Sequence, residues 1–491
     1  MPVLALDAGT TSTRAMVFAD DGAVLAQVQR PFAQHFPRDG WVEHDADEIF
    51  SATVACAREA IAGARLTAAD IAGIGVAVQR ETVVVWERAT GRPVHRAIVW
   101  QDRRTAEECR SLATDPAAVA LVARTGLLLD PYFSATKLAW ILDHVEGARA
   151  AAERGELLAG TIDSWLLWRL TGGAVHATDA TNASRTLLFD IRRQAWSAEL
   201  CELFRVPGAL LPAVRDSADD YGTTTSAFFG APIAIRAMIG DQQSAAVGQD
   251  CVAEGQAKAT YGTGCFVLVH TGDAPRVSRH RLLTTVALRL AGQPTYALEG
   301  SIFNAGSVVQ WLRDQLHLVA TAAETAAVAG SVASSGGVYC VPAFTGLGAP
   351  WWDPDARGAL LGLTRDSGRA EIVRAALEGV AFQTRDLATA FAEDGVPLAA
   401  LRVDGGMAAN DWLMQTLADQ LRLAVERPAV LETTAWGAAR LAGLHAGVYP
   451  PLGTPGFRRV ERTFSPEADA GESDRQHAGW LRAVARVREQ H

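Results

Sequence analysis

Asp7-Ala8-Gly9-Thr10-Thr11-Ser12-Thr13-Arg14 lies between two β-forming runs, Val3 to Asp7 and Thr13 to Phe18. The turn at Gly9 to Thr11 reverses the chain and Asp20-Asp21-Gly22 makes a second tight turn, so the protein opens as a β-hairpin or meander. Glycine lets backbone approach a ligand closely, and successive N–H groups in a turn form an anion-binding concavity. Thr10, Thr11, Ser12 and Arg14 add donors suited to phosphate oxygens. Asp7, at the strand end, can hold Mg2+ through water, because that ion prefers few carboxylates plus phosphate oxygens. A serine- and threonine-rich hairpin turn with a structural aspartate satisfies the same letters.

Outward from this turn, residues 45–63 predict a helix. Asp45 and Glu48 have the capping-box spacing, and Ile49, Val54, Ala57 and Ile61 make one apolar face. Ile71 to Gln79 reads as a buried strand ending at Arg80-Glu81, and Thr82 to Trp86 as another. Similar parts return near residue 257. Ala257 to Tyr261 runs into Gly262-Thr263-Gly264, then Phe266 to His270, a long helix at 369–393, Leu401 to Gly406, and a helix from about Asn410. Two Gly-Thr turns about 250 residues apart point to an internal duplication. The last helix, 474–489, is expected to bury Trp480, Leu481, Val484 and Val487. A chain of 491 residues exceeds one ordinary core, and the division expected is 1–249 and 250–491, meeting at a hinge near 245–255.

Composition narrows the chemistry. Hydrophobic residues make up 49% and charged residues 20%, the profile of a soluble globular protein, and no apolar run is long enough for a membrane span. The N-terminus reads as a strand and not as a secretory signal. A net charge of −10 without a basic stripe argues against nucleic acid as a partner. Only two lysines occur, Lys137 and Lys258, and neither follows a glycine, which excludes a GxxxxGK[ST] phosphate loop. The six cysteines show no CxxC pairing, as expected of a reduced cytoplasmic protein without a zinc site.

The acceptor side is the more informative. Arg80-Glu81 offers a donor fork beside a carboxylate acceptor, which a polyhydroxyl compound needs within a few ångströms. Trp100, Tyr132 and Phe266 lie near other turns and can wall off a small carbon skeleton, although scattered aromatics also build cores. Ile239-Gly240-Asp241-Gln242-Gln243 ends an apolar strand and opens a helix. Transfer of a phosphoryl group to an alcohol needs a carboxylate that accepts the hydroxyl proton, and Asp241 is the candidate base. At a helix N-terminus it is expected to keep a low pKa, and it reads equally as a helix N-cap. Asp404-Gly405-Gly406 followed by Asn410 lets a flat base lie against a helix start.

Together these segments resemble the FGGY carbohydrate kinases over nearly the whole chain. The shared text includes LALDAGTTSTRA, VQRET, AIVWQDRRTAEEC, YFSATKLAWILDH, GDQQ, TYGTGCF, VPAFTGLGAPWWDP, GALLGLTRDSGRAEIVRAALE and ALRVDGG. The resemblance implies two α/β domains of the actin and hexokinase (ribonuclease H-like) kind with a catalytic cleft between them. It implies phosphorylation of glycerol by ATP with Mg2+, the first step of glycerol catabolism, in a cytoplasmic homo-oligomer, a dimer or tetramer. Carried over by position, Arg80, Glu81, Trp100, Tyr132, Asp241, Gln242 and Phe266 bind glycerol. Thr10, Thr11, Ser12, Arg14, Thr263, Gly306, Gln310, Gly406 and Asn410 contact the nucleotide, and Asp7 and Asp241 serve the metal. The first domain then carries the glycerol and phosphate site, and the second the nucleotide.

Two departures concern regulation. Some members of the family bind fructose 1,6-bisphosphate at a basic, glycine-rich loop, but Ser226 to Ile233 here has no arginine or lysine. Others are phosphorylated on a histidine just before Phe-Phe-Gly, where this chain has Ala227. Two rival readings stay open at this level: a related kinase for another polyol or sugar, and an actin-like ATPase module that phosphorylates no acceptor.

Overall fold

The computed structural model describes residues 1–353 and 355–488. Its first large sheet holds β1 (Val3–Ala8), β2 (Ser12–Phe18), β3 (Val24–Pro31), β4 (Ile74–Val78) and β5 (Ile235–Gly240), in the order β5-β4-β1-β2-β3. β1 runs antiparallel to β2 and parallel to β4, which is parallel to β5. Its second large sheet repeats this pattern. β6 (Ala257–Tyr261) is antiparallel to β7 (Cys265–Gly272), which pairs through β9 (Gln293–Ile302) with β8 (Leu283–Leu290). On its other side β6 runs parallel to β10 (Leu401–Asp404), followed by β11 (Val425–Pro428) and the antiparallel edge strand β12 (Val460–Phe464). The two Gly-Thr turns join β1 to β2 and β6 to β7, equivalent places in two copies of one topology. A third, smaller sheet of Gln34–His35, Glu43–His44, Ala97–Ile98, Val83–Glu87 and Leu157–Thr161 is inserted in the first half.

Helix α1 (Ala46–Gly63) covers the first sheet with Ile49, Val54, Ala57 and Ile61 buried. Asp45 caps it by accepting from the N–H groups of Asp47 and Glu48. Only half of the expected capping box forms, because the Glu48 carboxylate turns to the backbone N–H of Ala33 at 3.1 Å. The strand predicted from Ile71 begins at Ile74, since Ala68–Asp70 is a 3-10 turn and the chain arrives through Ile71.

The halves meet through two helices. α2 (Asp241–Gly248) continues from β5, and α4 (Thr433–His445) returns from the second half to cover the first sheet. Between these two in sequence, α3 (Arg369–Glu393) spans the predicted range without change. Small residues bring α2 and α4 together: a Cβ on Gly437 would lie 1.8 Å from the Ser244 carbonyl oxygen, and one on Gly248 would lie 2.1 Å from that of Thr433. The last helix, α5 (Ala470–Arg488), begins four residues before its predicted start at 474. Trp480, Val484 and Val487 are buried, but Leu481 is 39% exposed and belongs to the outer face. The final predicted position, Glu489, lies outside the described residues.

Candidate active site

The Gly9–Thr11 turn, Arg80-Glu81 and Asp241 follow the C-terminal ends of β1, β4 and β5. Strand ends of this kind form the ligand crevice of open α/β sheets. Arg80 is fully enclosed, and its guanidinium reaches five side chains. It donates to Glu299 Oε2 at 2.5 Å and Oε1 at 3.3 Å, to Gln243 Oε1 at 3.3 Å and to the Tyr132 hydroxyl at 3.4 Å. Its Nε lies 3.2 Å from Asp241 Oδ1 and 3.8 Å from Glu81 Oε1.

Arg80 and Glu81 are therefore not each other's main partners, as their adjacency invites one to expect. Glu81 is held by Arg185, whose Nε donates to its Oε1 at 2.6 Å, and Arg185 Nη2 also reaches Glu299 Oε1 at 2.9 Å. Burial alone raises the Glu299 pKa, but the two guanidiniums outweigh it and hold the carboxyl at about 2. Glu81 is raised, because burial exceeds the help it receives from Arg80 and Arg185. Glu81 also has φ of 63°, in a three-residue turn closed by the Thr82 N–H on the Arg80 carbonyl at 2.7 Å. Such strain of about 1–3 kcal/mol persists only where surrounding contacts overdetermine the backbone. Arg185 and Glu299 supply those contacts, and neither was among the residues singled out from the sequence.

Trp100, Tyr132 and Phe266 form one corner. Trp100 meets Tyr132 edge-on at 5.6 Å and Phe266 at 6.0 Å between ring centroids. The Trp100 indole N–H donates to Thr10 Oγ1 at 2.9 Å, which ties this corner to the first turn. Gln79 makes a second tie. Its Nε2 donates to the Gly9 carbonyl at 2.9 Å, and its Oε1 accepts from the Thr82 hydroxyl at 2.9 Å.

Asp241 is the first residue of α2, with Gly240 as the cap, so the N-cap reading does not hold. Its Oδ1 accepts the N–H of Gln242 at 2.7 Å, and its side chain is 24% exposed. The low pKa expected from the helix terminus is also corrected. Burial raises it, and Arg80, Lys258 and the Gln242 N–H only partly restore the ionised form. Asp7 is pushed up to about 6, first by burial and then by the charge of Asp241, with Arg14 opposing. Two carboxylates close enough to repel, Asp7 and Asp241, fit a hydrated Mg2+, which needs few protein ligands. Among the described residues no group of three or more His, Cys, Asp or Glu makes a protein-only metal cage.

The residues expected to contact the nucleotide gather at the other turn. Ala305 and Ser307 N–H groups donate to the Thr263 carbonyl at 2.9 and 3.1 Å, and the Gly306 N–H to that of Gly262 at 2.9 Å. A Cβ on Gly306 would come within 2.5 Å of the Gly262 oxygen, and one on Gly405, whose φ is 84°, within 2.5 Å of the Tyr261 oxygen. These contacts require glycine, whereas Gly406 has open space beside it. Gln310 is exposed on the helix that starts at Gly306. Asn410 caps the helix Asp411–Leu421 by accepting from the Leu413 N–H, and its Nδ2 donates to Thr325 Oγ1. On the first turn, Ser12 Oγ accepts from Gln29 at 2.7 Å, Thr11 is exposed, and Arg14 pairs with Glu432 and Gln29.

Residues 2–248 match the FGGY family of carbohydrate kinases, N-terminal domain, and residues 257–446 match its C-terminal domain. The chain is 58% identical over 489 residues to a glycerol kinase of Rhodospirillum centenum, covering 99% of this chain and 98% of that one. It is 58% identical over 487 residues to a glycerol kinase of Alcanivorax borkumensis, again covering 99% and 98%. A crystal structure of Plasmodium falciparum glycerol kinase with ADP superposes with a TM-score of 0.91 at 34% identity, covering 99% of this chain and 98% of that one.

Proposed function

The chain belongs to the FGGY family of carbohydrate kinases, and from that premise we propose how its residues divide the work of moving the terminal phosphoryl group of ATP onto glycerol. Phosphorylation of glycerol by ATP, giving ADP and sn-glycerol 3-phosphate, is the activity. Arg80 and Glu81 donate to and accept from glycerol hydroxyls, Tyr132 and Gln242 orient them, and Trp100 and Phe266 wall off the three-carbon skeleton. As the hydroxyl oxygen attacks the terminal phosphorus, its proton passes to an Asp241 oxygen. The new P–O bond forms while the bond to the β-phosphate oxygen breaks, and ADP leaves.

The observation that supports this division is the position of Asp241. It is the one carboxylate of the cluster that keeps an exposed edge, with Arg80 Nε 3.2 Å away favouring its ionised form. Thr10, Thr11, Ser12, Arg14, Thr263, Gly306, Gln310, Gly406 and Asn410 serve the nucleotide and its phosphates. Asp7 and Asp241 would hold Mg2+, which when bound neutralises phosphate charge. We place the division of the chain at 249/250, with α2 and α4 as the hinge. All six cysteines are free and buried, and among the described residues no helix is long and apolar enough to cross a membrane. Both facts agree with a cytoplasmic enzyme, which we take to be a homo-oligomer.

A substrate panel tests the acceptor assignment. kcat/KM for glycerol should exceed that for erythritol and xylulose, and a higher value for either would overturn it.

A further inference from the structure

Of 45 basic residues only Lys137 and Lys258 are lysine, and both side chains are wholly buried. Every exposed basic position is thus arginine. A lysine offers a compact ammonium with three rotatable donors where arginine offers a planar fork. Both lysines hold acceptor-site elements. Lys137 Nζ donates to the Tyr132 carbonyl at 2.7 Å, and Lys258 Nζ donates to Gln242 Oε1 and to Thr260 Oγ1 at 2.9 Å.

Lys258 has no acceptor, so the end of the Gln242 amide that faces it must be the oxygen. Among the described residues the Gln242 Nε2 makes no hydrogen bond to another protein group, although the residue is only 7% exposed. Its neighbour Gln243 behaves differently. Its Oε1 accepts from Arg80, and its Nε2 donates to Thr285 Oγ1 and the Val286 carbonyl at 3.2 Å each. One glutamine is thus spent on the scaffold, and the other has a donor left over beside Asp241.

We propose that Lys258 is a positioning residue for the phosphoryl transfer, acting through Gln242, whose amide it orients so that the N–H2 end faces the acceptor hydroxyl. The hydroxyl then meets a donor from Gln242 and an acceptor from Asp241, the pair that aligns a lone pair for attack while the proton leaves. Burial pushes the Lys258 pKa down and Arg80 adds to this, while the carboxylates of Asp404, Asp241 and Glu299 oppose it in part. This inference rests on the acceptor site described above.

The test compares wild type, Lys258→Met, Gln242→Ala, Gln242→Glu and Lys258→Met/Gln242→Ala by glycerol-dependent ADP release and thermal melting. Lys258→Met should lower kcat/KM for glycerol at least about tenfold, with the KM for ATP within about threefold of wild type. Placed on Gln242→Ala, the same change should have no further effect, because its route has already been removed. A folded Lys258→Met with glycerol kinetics within about threefold of wild type, or a further tenfold loss in the double variant, would overturn the proposal. If Lys258→Met does not fold, Gln242→Glu decides. It keeps the lysine contact and removes the donor, so an unchanged kcat/KM for glycerol would overturn the proposal and a tenfold loss would uphold it. A wild type without glycerol-dependent turnover would instead refute the acceptor site itself.

Discussion

Glu299 binds Arg80 and Arg185, the two arginines at the proposed glycerol end of the site, so it should matter more than its place in a strand implies. Replacing it with glutamine removes the charge that offsets Arg80 and Arg185, and breaking such a buried pair costs about 3–5 kcal/mol. Its pKa lies below the unfolded value of 4.5, so its stabilisation is present above pH 4.5 and is lost as pH falls through about 2. Urea denaturation of wild type and Glu299→Gln should therefore show a stability gap at pH 7 that narrows below pH 4.5. A gap independent of pH would contradict this. Glu81→Ala strands Arg185 more than Arg80, and it should raise the KM for glycerol while leaving that for ATP in place. A raised KM for ATP with an unmoved KM for glycerol would contradict the pocket. Asp241→Asn should lower kcat by roughly 10²–10⁴ with folding kept, and a loss under tenfold would remove it as the base.

At this scale the sequence displayed what adjacency can display. Arg80-Glu81 and Asp241-Gln242 are legible because each pair ends a strand. Arg185 and Glu299 are not, because they reach Glu81 and Arg80 from 104 and 219 residues away, beyond what local sequence displays. The reversal of the Asp241 pKa has a similar origin: a helix terminus is visible locally, whereas enclosure by both halves is not.

Among the elements, the contact between α2 and α4 positions Asp241, the proposed base. A methyl group on Gly437 would meet Ser244 backbone at 1.8 Å, where no side chain can yield, so α2 must shift and Asp241 with it. Gly437→Ala should cost about 1–3 kcal/mol by overpacking and also lower kcat. A melting temperature and kcat equal to those of wild type would show that the helices can part without consequence. The strands, the first helix face and the helix at 369–393 were readable from periodicity. Of the small third sheet only Val83–Glu87 was readable, since its two-residue strands carry no period, and Leu481 was misplaced because the step of about 100° from Trp480 carries it off the buried face.

Over the whole molecule, two copies of one sheet topology explain why two faint Gly-Thr turns, which share only two letters, mark equivalent corners of a single cleft. An acceptor bound between the copies, as proposed, would be shielded from water, which would otherwise accept the phosphoryl group. The 226–229 turn gains a basic neighbour unseen in its own sequence, Arg58. Its guanidinium is occupied by the carbonyls of Phe228 at 2.5 Å and Ala227 at 3.1 Å. Fructose 1,6-bisphosphate should accordingly leave the rate unchanged, and clear inhibition would show that Arg58 is released to bind it. The most direct measurement of the central claim is ADP release by the purified wild type with and without glycerol. Release that depends on glycerol, with one sn-glycerol 3-phosphate formed per ADP, is the expected result. ADP release at the same rate without any acceptor would contradict it.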